Sequence, residues 1–381
     1  MKYKLSNICE YAKGKIKVSA LDENIYISTE NMLPNKGGIT KAASLPTQEQ
    51  TQAFMKNDVL VSNIRPYFKK IWYATFDGGC SNDVLVFRAK DGVSSRFLHY
   101  VLADDTFFDY SMATSKGTKM PRGDKKAIME YEVPELSYED QCKIAGILEV
   151  IDEKIELNTD INKNLLQQAL CLYTSLIDGK SKNGCIGDYC TLKSGFAFKS
   201  KWWQDCGVPV VKIGSINQDY LNLSDCSYVS EDKIALAKDF IVSGGDLLIA
   251  MTGATIGKFT MVPKTSETIL VNQRVGKFFL GNNPIDRIPF IYSTLKQPEI
   301  ISEVINRGQG SAQPNISAAD ILSIPCVIPK STEINDYNQQ ASPMFELIIN
   351  NQFENLVLAQ TRDALLPQLM SGELDISAID L

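Results

Sequence analysis

The chain has 381 residues, of which 44% are hydrophobic and 22% charged, a balance that indicates a folded protein of two or three domains. It contains no run of about 18 apolar residues and no basic N-terminus followed by an apolar stretch, so we expect a cytoplasmic protein with no membrane partner. The net charge of -6 argues against a nucleic-acid binder, but the ranges 1–136, 137–184, 185–330 and 331–381 carry +3, -3, +1 and -7. Long, slightly basic segments thus alternate with short acidic ones, which suggests a duplicated architecture.

Both long segments are predicted to mix strands and helices. In the first, "DVLVSNI" (58–64) and "DVLVFRA" (83–89) have the β-branched composition of strands, and "RFLHYVLADDTFFDYSM" (96–112) the pattern of a helix. In the second, "VPVVKIG" (208–214) and "DLLIAMT" (246–252) are strand candidates, and "PFIYSTLKQPEIISEVI" (289–305) is a helix candidate. "NDVLVSNIRP" (57–66) resembles "GGDLLIAMTG" (244–253), and from Phe97 and Phe290 onward the halves align without a gap. The chain is therefore predicted to contain an internal repeat.

A long helix is predicted between the two mixed segments. Ser137 and Asp140 stand in capping-box spacing at its start, and Gly179 marks its end. Its apolar residues recur every three or four positions, but Asn158 and Asn162 fall on the same stripe.

The same two polar positions recur near the end of the chain, at Asn351 and Asn355. In an antiparallel pair of helices, Asn158 would face Asn355, and Asn162 would face Asn351. A buried amide opposite an aliphatic side chain costs on the order of 1–3 kcal/mol, so these layers would fix the register. The alternative is that the asparagines lie on the solvent edge of an ordinary amphipathic helix.

Three residues depart from this pattern in the second helix. Arg362 would face Ile151 and weaken an outer layer, and Pro343 and Pro367 each remove a backbone hydrogen bond. We therefore expect the second helix to begin near Ser342 and to kink near its end.

The predicted fold class is α+β, with two mixed α/β domains in a pseudo-two-fold repeat, separated by two long helices that form an antiparallel coiled coil.

The nine cysteines are scattered, and the closest pair, Cys185 and Cys190, lacks the spacing of a metal site. Because His99 is the only histidine, we expect reduced core thiols and no metal site.

Several segments are similar to those common in one protein family: "YISTENML" (26–33), "IDEKIELNTDINKNLL" (151–166), "SGFAFKS" (194–200), "GDLLIAMTGATIGK" (245–258), "GSAQPNIS" (310–317) and "LAQTRDALLPQLMSGEL" (358–374). Together they resemble the specificity subunit of type I restriction-modification enzymes. The resemblance implies a target-recognition domain, a spacer helix, a second target-recognition domain, a second spacer helix and a C-terminal tail, at residues 1–136, 137–180, 185–330, 331–372 and 373–381.

In such a subunit each recognition domain would read one half of a split sequence in double-stranded DNA, and the helical rod would set the spacer. Modification subunits would dock on the rod and use S-adenosylmethionine to methylate adenine, and restriction subunits would use ATP and Mg²⁺. This chain would bind none of these cofactors and have no catalytic residues. Independently, "GATIGK" (253–258) is too short for a phosphate loop, and "NNPI" (282–285) lacks the second proline and the ring of a base-flipping methyltransferase.

Candidate DNA contacts are cations and amides in loops with turn signals, which suit phosphate clamping and base reading. In the first domain they are Arg65, Tyr67, Lys69, Lys70, Lys116, Lys119 and Arg122. In the second they are Lys193, Lys199, Lys201, Lys258, Gln309, Gln313 and Asn315. The alternatives are solvated loops, core positions for Trp202 and Trp203, a structural strand-end turn at 252–258, and a turn at 313–315 that is stabilised by its own backbone.

Two other functions are compatible with parts of the sequence. A pseudo-symmetric coiled-coil adaptor without DNA specificity would bind protein through its globular ends, and charge reversal at Lys119 and Arg122 would leave its function intact. A self-sufficient methyltransferase or nuclease would need the motifs that are missing.

Overall fold

The computed structural model describes residues 2–117, 119–217, 220–309 and 314–374, which form two compact units. The first unit comprises Met1–Glu153 and Leu358–Leu381, and the second comprises Lys154–Val357. The α-helices are α1 (Leu5–Ile8), α2 (Ser95–Ala103), α3 (Asp105–Ala113), α4 (Lys125–Ile128), α5 (Tyr138–Ile177), α6 (Ile288–Leu295), α7 (Pro298–Gly308), α8 (Ala318–Leu322) and α9 (Ser331–Ser371). The mixed helix and sheet class, with repeated domains and long helices, is as predicted.

The first unit contains two four-stranded sheets and a short two-stranded one. Its strands are β1 (Lys2–Lys4), β2 (Cys9–Tyr11), β3 (Lys15–Lys17), β4 (Tyr26–Ile27), β5 (Gln50–Phe54), β6 (Val59–Ser62), β7 (Ile71–Tyr73), β8 (Gly78–Cys80), β9 (Val84–Ala89) and β10 (Glu132–Pro134). The sheet orders are β2-β9-β6-β7, β3-β5-β8-β4 and β1-β10, and only the β4–β8 pair among them is parallel. Because side chains alternate along β6, Val59 and Val61 pack with Phe97, while Leu60 packs with Phe54.

The second unit repeats this plan with additional strands. The strands of the second unit are β11 (Gly184–Cys185), β12 (Thr191–Ser194), β13 (Trp203–Gln204), β14 (Val208–Val211), β15 (Ile216–Asn217), β16 (Tyr220–Leu221), β17 (Ser227–Val229), β18 (Ile241–Val242), β19 (Leu247–Ala250), β20 (Phe259–Met261), β21 (Ile269–Val271), β22 (Val275–Phe279) and β23 (Pro325–Cys326). The sheet orders are β12-β22-β19-β20, β13-β17-β14-β21-β18, β15-β16 and β11-β23. The β14–β21 pair is parallel, and β19 alternates as β6 does, with Leu247 packing near Phe290 and Leu248 near Val271. The four predicted strands are confirmed.

Each predicted 17-residue helix is divided into two helices. In the first unit α2 ends at Ala103, and the carboxylate of the next residue, Asp104, accepts a hydrogen bond from the Thr106 amide (2.7 Å) and caps α3. In the second unit Pro298, which lacks an amide hydrogen, starts α7 after α6 has ended at Leu295. The prediction of single helices was wrong because capping residues were read as part of a continuous pattern.

Helix α5 begins as predicted and α9 does not. The Asp140 amide donates to Ser137 Oγ (3.1 Å) at the start of α5, and Gly179 after its end has a φ of 67°. Helix α9 begins at Ser331, well before Ser342, so the predicted start was wrong. Buried Ala341 and Phe345 on either side of Pro343 keep the helix continuous, because burial of apolar surface offsets one missing hydrogen bond.

Within the second unit the asparagines of the predicted amide layers are hydrogen-bonded to each other. Asn158 Nδ2 donates to Asn355 Oδ1 (2.9 Å) and to Glu354 Oε2 (2.7 Å), and Asn351 Nδ2 donates to Asn162 Oδ1 (2.8 Å). The side chain of Asn158 is buried, so the alternative of a solvent-edge position is wrong for this residue.

In the first unit Arg362 has a partner that the sequence pattern did not predict. Its Nη1 donates to Asp152 Oδ1 (2.7 Å), and the Tyr100 hydroxyl donates to the other carboxylate oxygen (2.7 Å). Arg362 therefore does not weaken the helix contact as expected, because its charge is paired within the unit.

The cysteines only partly follow the prediction of core thiols. Cys9, Cys80, Cys190, Cys226 and Cys326 are buried, and burial raises the pKa of each of these thiols. Three others, Cys142, Cys171 and Cys206, are exposed. Cys142 and Cys171 lie on the exposed side of the long helix α5, away from its stripe of apolar residues.

Among the described residues no helix combines the length and apolar composition of a membrane span.

Candidate nucleic-acid interface

The same backbone frame surrounds the end of one central strand in each unit. In the first unit the residue after β6, Asn63, donates its amide to the Asp83 carbonyl (2.8 Å) and accepts from the Gly123 amide (3.3 Å). The Arg65 amide donates to the Pro121 carbonyl (2.8 Å). These bonds join three loops that approach the strand end from different parts of the chain.

In the second unit the residue after β19, Met251, makes the corresponding bonds. Its amide donates to the Arg274 carbonyl (3.0 Å), and its carbonyl accepts from the Ile316 amide (3.0 Å). The Gly253 amide donates to the Pro314 carbonyl (2.9 Å). Because loop backbone groups need partners when they are partly buried, these bonds fix the loops whatever side chains they carry.

The turns that enter the last central strand are also alike. The Asp83 amide donates to Ser81 Oγ (3.3 Å) and the Arg274 amide to Asn272 Oδ1 (3.4 Å), so a short polar side chain stabilises the turn in both units. Asp83 and Arg274 therefore occupy equivalent positions. By the same comparison Arg122 is equivalent to Asn315. Arg122 forms a β-bridge with Ile64, and Asn315 forms one with Thr252, which is the residue equivalent to Ile64.

Side chains on the frame of the first unit are mainly charged and paired. Arg122 Nη2 lies 3.1 Å from Asp83 Oδ1, and Lys116 Nζ lies 2.5 Å from Asp124 Oδ2. The hydrogen bond from Lys116, together with two backbone amides, holds the pKa of Asp124 below its usual range. Lys119 is exposed on the turn between these two cations. The predicted residues Lys116, Lys119 and Arg122 thus share one loop that is hydrogen-bonded to Arg65.

The loop at residues 65–70 presents its predicted contacts unequally. Tyr67 is 48% exposed, so its ring is open to a partner. Lys69 forms an ion pair with Asp105 (2.8 Å), and Lys70 Nζ donates to the Thr29 carbonyl (2.6 Å). Burial lowers the pKa of Lys70, and its hydrogen bond to Thr29 links this loop to another loop of the first unit.

In the second unit the frame borders an open cleft of about 750 Å³. Its lining consists of Ser194, Gly195, Ala197, Met251, Thr252, Gln273, Arg274, Pro314, Asn315, Ile316, Ser317 and Ala318. Gly195 is required here because a Cβ would lie 2.4 Å from the Val271 carbonyl oxygen. The first unit has a smaller cavity of about 210 Å³, lined by residues that include Asn82 and Lys125.

Buried polar atoms without a hydrogen-bond partner among the described residues occur at both strand ends. They are Thr252 Oγ1 in the cleft and Asn63 Oδ1 and Arg65 Nε in the first unit. Leaving such a group unpaired costs on the order of 1–3 kcal/mol, so a water or ligand atom that reaches one of these groups would be stabilised by pairing with it.

The predicted residues of the second unit are not all near the cleft. Asn315 lines it, and Lys193 is exposed on the adjoining strand β12. Lys199 and Lys201 are exposed near Trp202, and Gln309 is exposed at the end of α7. Lys258 is half-buried after the short 3₁₀ turn Gly253–Thr255, as expected for a structural turn. Gln313 lies outside the described residues.

Sequence reasoning missed Thr252, Gln273 and Arg274, which the cleft brings together with Asn315. Aligning Asp58 with Asp246 in the segments 57–66 and 244–253 already placed Ile64 opposite Thr252. Extending that comparison to the next strand would have placed Asp83 opposite Arg274 and shown the reversal of charge.

Comparisons with known proteins point to one family. The family model described as the type I restriction modification DNA specificity domain matches residues 1–167 and 179–356. The specificity subunit of the type I restriction enzyme MjaIX from Methanocaldococcus jannaschii is 27% identical over 327 residues, which cover 76% of this chain and 71% of that one. The HindI specificity subunit from Haemophilus influenzae is 24% identical, with 98% and 99% of the two chains covered. The crystal structure of a type I restriction-modification S subunit from M. genitalium has a similar fold, with a TM-score of 0.54 at 17% identity over 97% of this chain and 96% of that chain.

Proposed function

The chain belongs to the family of the type I restriction modification DNA specificity domain, and from this premise we propose that it is the DNA sequence-recognition subunit of a type I restriction-modification enzyme. The observation that supports this function best is the duplicated strand-end frame, which has equivalent backbone bonds but different side chains in the two units. A constant frame with variable side chains suits two sites that read different bases. Each unit would then read one half of a split target.

The long helices would separate the two half-sites. We propose that α5 and α9 form an antiparallel coiled coil, supported by the reciprocal amide pairs Asn158–Asn355 and Asn162–Asn351. Such a rod would set the length of unread DNA, with the target-recognition domains at 1–136 and 185–330. Its acidic ranges, 137–184 and 331–381, would suit docking to basic surfaces of modification subunits.

The chemistry would reside in partner subunits. Modification subunits would supply S-adenosylmethionine and transfer its methyl group to adenine, and restriction subunits would use ATP and Mg²⁺. This chain would act as a non-catalytic subunit that determines where they work.

The test is to co-express the chain with its modification subunit in a methylation-free host and to map N6-methyladenine across the genome. We expect a bipartite motif with a fixed spacer. Exchange of one globular domain should alter only one half of it. A continuous motif would contradict the two-site reading, and a co-purifying complex that leaves the DNA unmethylated would favour the protein-binding adaptor.

A further inference from the structure

We propose that Arg274 is a specificity-determining residue that reads the edge of a guanine in the half-site of the second unit. This inference rests on the proposed function, because it assigns a role to one side chain of the proposed recognition site. It follows from the position of Arg274 on the duplicated frame, from the composition of the cleft and from the unpaired Thr252 hydroxyl.

The frame position of Arg274 carries a carboxylate in the first unit. There Asp83 neutralises Arg122, with 3.1 Å between the charged groups. In the second unit the acid is replaced by Arg274 and the arginine by Asn315, so the internal ion pair is lost. Among the described residues Arg274 has no ion pair, and none of the residues that line the cleft is acidic. Its guanidinium is therefore available to an external acceptor.

The backbone that carries Arg274 is fixed on both sides. Its carbonyl accepts from the Met251 amide (3.0 Å), and the preceding Gln273 amide donates to the Phe196 carbonyl (3.0 Å). The Val275 amide closes the turn on the Asn272 carbonyl (2.9 Å). A side chain on a rigid turn loses less conformational freedom on binding, which favours a geometrically specific contact.

The neighbours of Arg274 are groups that recognise bases. Thr252 is 8% exposed, and its hydroxyl oxygen has no hydrogen-bond partner among the described residues although it lines the cleft. Asn315 adds an amide, whereas the Ser317 hydroxyl caps α8 by accepting from the Asp320 amide (3.1 Å) and donating to the Asp320 carboxylate (2.6 Å). One guanidinium among neutral donors and acceptors suits the O6 and N7 acceptors of guanine, which an arginine binds with both arms of its fork.

A phosphate oxygen would also accept from Arg274, and two substitutions distinguish the two acceptors. Lysine keeps the charge but not the fork, whereas alanine removes both. The variants R274K and R274A should be co-expressed with the modification subunit in a methylation-free host and compared by genome-wide mapping of N6-methyladenine. Thermal unfolding of each purified complex reports whether the variant is folded.

If Arg274 reads guanine, both variants should lose discrimination at one position of the second half-site, by about 10- to 100-fold, while the first half-site is unchanged. The exposed Lys238, outside the cleft, provides a matched control, and K238A should leave the motif unchanged. A uniform fall in methylation with R274A, an unchanged motif and near-normal activity of R274K would identify a phosphate contact and overturn the proposal. An unchanged motif and rate in folded R274A would also overturn it. If the wild-type complex gives no bipartite motif, the proposed function itself fails.

Discussion

The two units share a backbone and differ in the chemistry that it presents. At the first strand end the cations Lys116 and Arg122 are held by the carboxylates Asp124 and Asp83. At the second, Arg274, which has no ion pair among the described residues, lies among hydroxyl and amide groups. The bonds that build the frame join backbone atoms, so the side chains can change without loss of the frame. Because the support comes from the backbone, one fold can present two surfaces of different chemistry.

Beneath the frame the units are alike in side chains as well. Asp58 and Asp246 are buried just before the central strand, and each accepts the amide of the residue three positions earlier, Met55 (2.8 Å) or Ser243 (2.9 Å). Each also pairs with a cation of the neighbouring strand: Arg88 at 2.6 Å in the first unit, and Lys277 at 2.9 Å in the second.

The largest expected effect comes from removing this carboxylate in the second unit. Asp246→Ala leaves the Lys277 ammonium, whose side chain is only 12% exposed, without its counter-ion. We expect the free energy of unfolding of that unit to fall by about 3–5 kcal/mol. Asp58→Ala should cost less, about 1–3 kcal/mol, because Arg88 is 32% exposed and can be hydrated. Hydrogen exchange of peptides from each unit, followed against urea concentration, measures both losses.

A compensating substitution provides the control. Asp246→Ala with Lys277→Met removes both charges and should recover most of the lost stability. Equal losses in the two units, or no recovery in the double variant, would show that the carboxylates do not act as buried counter-ions.

The sequence predicted the features that follow from periodicity and from the internal repeat. The strands at 58–64 and 246–252 and the amide layers at Asn158 and Asn162 follow from repeating patterns, because one buried face imposes them. The ion pair between Asp152 and Arg362 interrupts the apolar pattern and joins segments distant in the chain, so it depends on tertiary contacts that a local pattern does not encode. The exchange of Asp83 for Arg274 lies beyond the aligned segments 57–66 and 244–253, and a longer comparison of the two halves shows it.

The two units also differ in the contacts that they contain between the long helices α5 and α9. In the first unit Leu148 packs in a cluster with Leu366 and Leu369, and in the second Asn158 makes its two amide hydrogen bonds. Asn158→Ala should destabilise the second unit by about 2 kcal/mol, because it removes a buried amide that hydrogen-bonds to both Asn355 and Glu354. Urea unfolding measured by circular dichroism, with hydrogen exchange to assign the unit, gives the value.

The double variant N158L/N355L tests what the amide layer is for. Because both polar partners are replaced, we expect stability near or above that of the wild type. If the layer fixes the register, the double variant should methylate motifs of more than one spacer length in the co-expression assay. A single, unchanged spacer would limit the asparagines to a role in stability.

The smallest expected effect is a dependence of stability on pH that His99 gives to the first unit and not to the second. His99, in the first unit, is the only histidine, and its buried Nδ1 has no hydrogen-bond partner among the described residues. Burial lowers the pKa of His99 from 6.5 to about 4, so between these values the unfolded chain binds a proton that the folded chain does not. The neutral, buried His99 therefore leaves the first unit at its full stability above pH 6.5, and the unit loses stability as the pH falls from 6.5 toward 4. Because part of the ring surface remains in solvent, we expect a loss of about 1 kcal/mol at pH 5.

The variant His99→Phe isolates this contribution, because it retains an aromatic ring beside Tyr73 and Tyr100. Between pH 7.5 and pH 5 the first unit of the wild type should lose more stability than the first unit of the variant, as measured by hydrogen exchange of its peptides. The second unit contains no histidine, and it should change equally in both proteins. An identical pH dependence of the first unit in both would mean that His99 is protonated as readily in the folded state as in the unfolded chain.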